Sequence, residues 1–266
     1  MRRLCLIAAL ACVGVCHAAV DHIQASERSD VLGGVSFGGA GPYERIVGKA
    51  YFAIDPKLPA NRIIRDIDLA PRNEKGLVEY SADLYVLKPR DPAKGNGTVL
   101  FEVSNRGGKG MLSMFNRGRG SGDPRAEQDF GDRLLMEQGY TLVWLGWQFD
   151  VPAGANILRN YVPVAKGVTG LIRAEFVPGG KADSFLLSDR AHAAYPVLDV
   201  NDQSTQLTVR DSENGARRIV PRNRWSFSDS THLSLTNGFE LAKIYEVVYK
   251  TQDSPVVAWG WPEFAT

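Results

Sequence analysis

The residues best placed to do chemistry are Asn105-Arg106-Gly107-Gly108-Lys109-Gly110, directly after the apolar run at 99–103. That run, Val-Leu-Phe-Glu-Val, is rich in β-branched and aromatic side chains and reads as a buried strand. A strand that stops in glycines leaves backbone N–H groups free at its C-terminal end, where open sheets place their ligands. Held rigid, such donors stabilise the oxyanion of an acyl-transfer intermediate by roughly 3–4 kcal/mol each. The oxyanion-loop candidates are Asn105, Arg106, Gly107 and Gly108. Read from the residues alone, an ordinary turn that needs glycine for its backbone angles fits as well, with Arg106 paired to an acidic neighbour.

Other chemistry-bearing residues are weaker. Gly34-Val35-Ser36-Phe37-Gly38 fits the Gly-x-Ser-x-Gly nucleophile pattern. The pattern works only between a buried strand and a helix, and here glycine-rich flanks and no helical period surround it, so Ser36 is a decoy. A serine nucleophile also needs a histidine oriented by an acid. Beyond residue 18 the histidines are His22, His192 and His232. Asp189-Arg-Ala-His192 and Asp229-Ser-Thr-His232 have a metal-ligand look. In irregular sequence, however, that spacing does not put both groups on one face, so surface or hydrogen-bonded histidines are expected, with no metal and no cofactor. Ser230 beside His232 is a weaker nucleophile candidate still.

The elements that must position the loop follow from periodicity. Residues 42–55 and 78–87 alternate polar and apolar and read as strands, with a possible short strand at 63–69. Short links make these an antiparallel β-meander. Residues 21–41 read as a mobile lead-in. After the glycine loop, Phe130, Leu134 and Leu135 sit at helical spacing in a helix over 130–138 stopped by Gly139. Residues 140–147 are a second apolar strand, with Tyr140, Trp144 and Trp147 in the core. Strand, glycine loop, helix and strand make a βαβ unit, which implies a parallel pair. From about residue 150 to 234 short β-prone pieces alternate with Gly, Pro, Asn and Asp, a β-rich excursion; residues 238–250 fit helix or strand equally.

Composition narrows the setting. Met1-Arg2-Arg3 followed by an apolar run at 4–15 and small residues predicts an export signal cleaved after Ala18, with Ala19 second. The run is shorter than the ~20 residues that cross a bilayer, so no membrane span is expected. Cys12 after Ala9-Leu10-Ala11 allows a lipoprotein reading, weakened by the short apolar stretch before it. Cys5, Cys12 and Cys16 all lie in the signal, which excludes disulfides, thiolate catalysis and cysteine-bound metals from the rest. Without Arg2 and Arg3, the 31 basic residues fall one short of the 30 acidic ones, and no long basic run occurs, which argues against nucleic acid. The roughly 250 remaining residues can bury a core in one domain.

Three longer stretches carry a resemblance: Gly-Pro-Tyr-Glu-Arg-Ile-Val-Gly (41–48), Ile-Asp-Leu-Ala-Pro-Arg-Asn (67–73) and Gly-Leu-Val-Glu-Tyr-Ser-Ala-Asp (76–83). With Asn105 to Lys109, 139–148, 187–190, 222–227 and 244–249, they resemble a family of exported bacterial α/β-hydrolase domain-containing proteins. The resemblance implies an α/β fold: a partial α/β-hydrolase-like sheet with an N-terminal β-meander and a β-rich insertion. The expected division is signal peptide (1–18), N-terminal part of the hydrolase-like domain (21–150), β-rich insertion (151–235) and a truncated return to the α/β sheet (236–266). Family members are longer, and their serine elbow, acid and histidine come beyond this chain's end. The implied activity is cleavage of a small-molecule ester or amide, in the periplasm or outside the cell, by a chain inactive alone. A non-catalytic β-rich module that binds a ligand or partner is the rival reading. A sheet that stops before its nucleophile strand leaves an apolar parallel edge, so poor solubility is expected.

Overall fold

A computed structural model describes residues 20–154, 156–188 and 192–256. The signal segment and its cleavage point at Ala18, Asp189, and the residues after Val256 lie outside that set. The first half forms β1 (Val20–Asp30), β2 (Ser36–Phe37), β3 (Gly41–Ile54), β4 (Val78–Pro89), β5 (Val99–Glu102), β6 (Thr141–Leu145) and β7 (Asn160–Tyr161). Their sheet runs β1-β3-β4-β6-β5, with β2 against β3 and β7 against β4. Every pairing is antiparallel except β5 with β6, which run parallel with Val99 opposite Thr141.

The alternation of a strand sends its side chains to two faces, and here both are covered. Val78, Tyr80, Ala82 and Leu84 of β4 pack with Phe52, Ile54 and Leu145 in one core. Tyr85 and Leu87 pack with Tyr43, Leu142, Trp144, Phe130 and Met136 in a second. Trp144 is fully buried in that second core.

The second half forms β8 (Thr169–Phe176), β9 (Ser184–Leu186), β10 (Gln206–Arg210), β11 (Arg218–Ile219), β12 (Trp225–Phe227), β13 (His232–Leu235) and β14 (Ile244–Gln252). They make a four-stranded sheet, β11-β10-β14-β8, and a three-stranded one, β12-β13-β9. The two enclose a third core, dense in aromatic rings, built on Phe176, Trp225, Phe227, Phe239, Tyr245 and Tyr249.

The expected α/β class is not what the chain adopts. The described residues are 37% strand and 15% helical, 3-10 turns included, in three sheets, and so form a mostly β fold rather than an α/β-hydrolase-like one. The two α-helices among the described residues are α1 (Met111–Phe115) and α2 (Leu134–Glu137), five and four residues long. The helix expected over 130–138 shrinks to α2 because the backbone just before it leaves the helical region, and Asn116 Oδ1 accepts from the Leu135 amide in its first turn. Gly131 and Arg133 also sit at positive φ just before it.

Three further expectations change. Residues 63–69 form 3-10 turns, Pro59–Ile63 and Ile67–Leu69, in place of a strand. The supposed mobile lead-in contains β1, paired along its length with β3; its sequence is polar because only its backbone is used. Expected to rejoin the first sheet, β14 instead pairs with β8 and β10. Among the described residues the chain comes back at Pro255, bridged to Val164, and at Val256, buried in the first core. β5 ends the first sheet, with Val99 59% exposed and Val103 56%. Among the described residues no helix is long and apolar enough to cross a membrane.

Candidate functional site

Because β5 and β6 are parallel, their carboxyl ends open on the same side, and the segments leaving them meet there. From β5 comes the turn Asn105–Gly107, with Arg106 at φ 51° and Gly107 at φ 72°. Gly107 is required: a Cβ there would lie 2.4 Å from the Leu158 carbonyl oxygen, and the Leu158 amide donates to the Gly107 carbonyl at 3.0 Å. Asn105 and Gly108 are exposed, whereas Gly107 and Lys109 are buried.

Four amides of the loop, those of Arg106, Gly108, Gly110 and Met111, already have acceptors. The Arg106 N–H donates to Gln148 Oε1 at 2.6 Å and the Gly108 N–H to the Asn105 carbonyl at 3.1 Å. The amides of Gly110 and Met111 each donate to the Glu102 carboxylate at 2.8 Å, and the Trp144 indole donates to it as well. A ligand carbonyl seeking the Arg106 amide must therefore displace the Gln148 side chain, a neutral oxygen standing where the ligand's would.

Lys109 fastens the other end of the loop. Its Nζ donates to the Gly122 carbonyl and, at 2.9 Å, to that of Asn156, and it lies 4.8 Å from the centre of the Tyr85 ring. Burial pushes its pKa down to about 8, against the pull of Asp123. Beside it Arg45 bonds Tyr85 and Asp123 at 3.0 and 2.9 Å, and burial holds the Tyr85 phenol well above its usual range. This polar group closes the second core beneath the loop.

Arg106 reaches forward. Its Nη1 donates to Asp150 Oδ1 at 2.8 Å and its Nη2 to the Asp150 carbonyl at 3.0 Å. The second carboxylate oxygen, Oδ2, lies 2.8 Å from His192 Nδ1. Glycine loop, the segment after β6 and the β-rich half are thus joined through one aspartate. The pair opens on a cleft of about 310 Å³ whose lining includes Ser188, Tyr195, Arg173 and Glu175. The Ser188 hydroxyl is buried there and makes no hydrogen bond among the described residues. Burial, and secondarily Asp150, raise the Tyr195 phenol.

The remaining candidates stay apart. Ser36 is exposed in β2, opposite Pro42 and between two 3-10 turns, so the strand-to-helix context is missing. His22 bonds Asp21 at 2.7 Å and stacks on Tyr51. His232 bonds Asp229 at 3.0 Å, as its spacing suggests. Among the described residues no group of three His, Cys, Asp or Glu is arranged to hold a metal. Sequence reasoning missed Gln148 and Asp150. The available signal was the parallel pair, which puts whatever follows residue 145 beside whatever follows residue 102. No protein-family model and no curated protein sequence matches the chain.

Proposed function

We propose that this chain is part of an exported hydrolase acting on esters or amides, that it supplies the carbonyl-binding loop, and that it has no serine chemistry of its own. What carries the reading is the glycine loop at the carboxyl ends of β5 and β6, held from Lys109 at one side and reaching Asp150 through Arg106 at the other. The sequence resemblance supplies the reaction class. Ser36, exposed in β2 between two 3-10 turns, lacks the strand-to-helix context of an activated nucleophile, which argues that the one serine in a nucleophile-like motif is not activated. The test is labelling of the purified chain by a fluorophosphonate, which reacts with activated serines. No labelling is expected; labelling that disappears in Ser36→Ala overturns the reading.

A second reading, a β-rich module that binds a ligand or partner, is favoured by the separate aromatic core of the second half. Saturable thermal stabilisation by a neutral saccharide, lost in Lys250→Glu on the outer face of β14, would promote it over the first.

A further inference from the structure

We infer that His192, oriented by Asp150, is a general base that activates water against a small uncharged ester held in the cleft beside it. The inference rests on the ester-or-amide reading above but not on any serine. Its basis is geometric. A carboxylate oxygen 2.8 Å from Nδ1 fixes the tautomer with its proton on Nδ1, which leaves the Nε2 lone pair free to accept one. Arg106 donates once to the Asp150 carboxylate and once to its backbone carbonyl, so the carboxylate that steers the imidazole is anchored on its far side. The His192 side chain is 43% exposed, open to water and cleft together.

The cleft's chemistry selects the substrate class. Among the described residues, every charged side chain lining it has a counter-charge: Asp150 has Arg106, Arg173 has Glu175 at 3.2 Å and Glu246 at 3.1 Å, and Glu175 also has Arg210. A charged ligand would have to break one of these pairs, whereas a neutral one need not. Leu171 and Leu187 give it an apolar wall, Ser188 offers a hydroxyl with no hydrogen bond among the described residues, and about 310 Å³ suits a short acyl group and its alcohol. In the reaction, Nε2 takes a proton from water as the water oxygen bonds to the carbonyl carbon. The tetrahedral oxyanion then collapses, the bond to the alcohol oxygen breaks, and the imidazolium returns the proton to the departing alkoxide. Ester and water become acid and alcohol.

The molecule contains its own control. His232 has the same partner at nearly the same distance, but on an exposed turn. The experiment is hydrolysis of p-nitrophenyl acetate by the full chain from pH 5 to 9, in H₂O and D₂O. General base catalysis contributes about 10²–10⁴-fold where a proton acceptor is well placed, so His192→Ala should lose at least about ten-fold of the rate above buffer. Asp150→Asn should lose part of it, while His22→Ala, His232→Ala and Ser36→Ala keep it. Among the described residues, Asp150, Arg173, Glu175 and Tyr195 are the other ionisable groups lining the cleft, with Arg106 behind Asp150. A normal solvent isotope effect marks proton transfer from water. The inference is overturned by a wild-type rate no faster than buffer, by an unchanged rate in both His192→Ala and a folded His192→Gln, or by an isotope effect of unity with an accumulating acyl-imidazole. None of these outcomes bears on fluorophosphonate labelling, which tests the broader reading separately.

Discussion

His192 and His232 each meet an aspartate through Nδ1, at 2.8 and 3.0 Å, and the two imidazoles are almost equally exposed, 43% and 41%. Their carboxylates differ: Asp150 is 19% exposed and Asp229 is 56%. Asp229 spends its oxygens on its own turn, accepting from the Thr231 amide, the Thr231 hydroxyl and the His232 amide. Those bonds, with His232, hold its pKa down at about 2. Asp150 accepts instead from Arg106, far away in sequence, and its backbone carbonyl also takes the Ala193 amide. A pair made within one turn organises that turn and faces solvent. A pair made between elements depends on the fold and shapes a cleft.

The comparison can be broken most sharply from behind. Gly107→Ala puts a methyl into the Leu158 carbonyl at a positive φ, and should cost roughly 3 kcal/mol, read as a lowered urea midpoint. It should also free Arg106 from its alignment on Asp150. Next in size, Asp150→Ala removes the carboxylate partner of a largely buried guanidinium and should cost about 2 kcal/mol, whereas Asp229→Ala should barely move the same midpoint at neutral pH.

Titration sharpens the contrast at the two ends of the pH scale. Lys109 binds its proton more weakly folded than unfolded, so the cost of burying its charge is fully present below pH 8 and is relieved as pH rises from 8 towards 10.5. Wild type should therefore gain stability relative to Lys109→Met over that window, measured as the difference in urea midpoints. Asp229 has the opposite sense. Its folded pKa is depressed, so its contribution is present above about pH 4 and is lost as pH falls towards 2. The difference between wild type and Asp229→Asn should shrink between pH 5 and pH 2.5, the smallest of these effects because the group is solvated.

Much of the first sheet was legible in the residues. Alternation marked β3 and β4 to within a few residues, and the apolar runs around the glycine loop correctly implied a parallel pair, because strand period and loop length are local properties. β1 was not legible: an edge strand exposed on both faces needs no apolar pattern, only a neighbour with free backbone groups. The long helix was read from three apolar positions, and the positive φ at Gly131 and Arg133 broke it.

The sequence by itself determined that a strand ends in glycines at 107–108, that Arg106 stands in that turn ready for an acid, and that His232 has an aspartate three residues before it. Only the tertiary structure decided that the acid for Arg106 is Asp150, that the same carboxylate takes His192, and that the Arg106 amide is capped by Gln148. The reason is physical. A turn is specified by residues that touch in sequence, whereas the partner of a partly buried charge is whichever opposite charge the packing of separate elements brings within hydrogen-bonding distance.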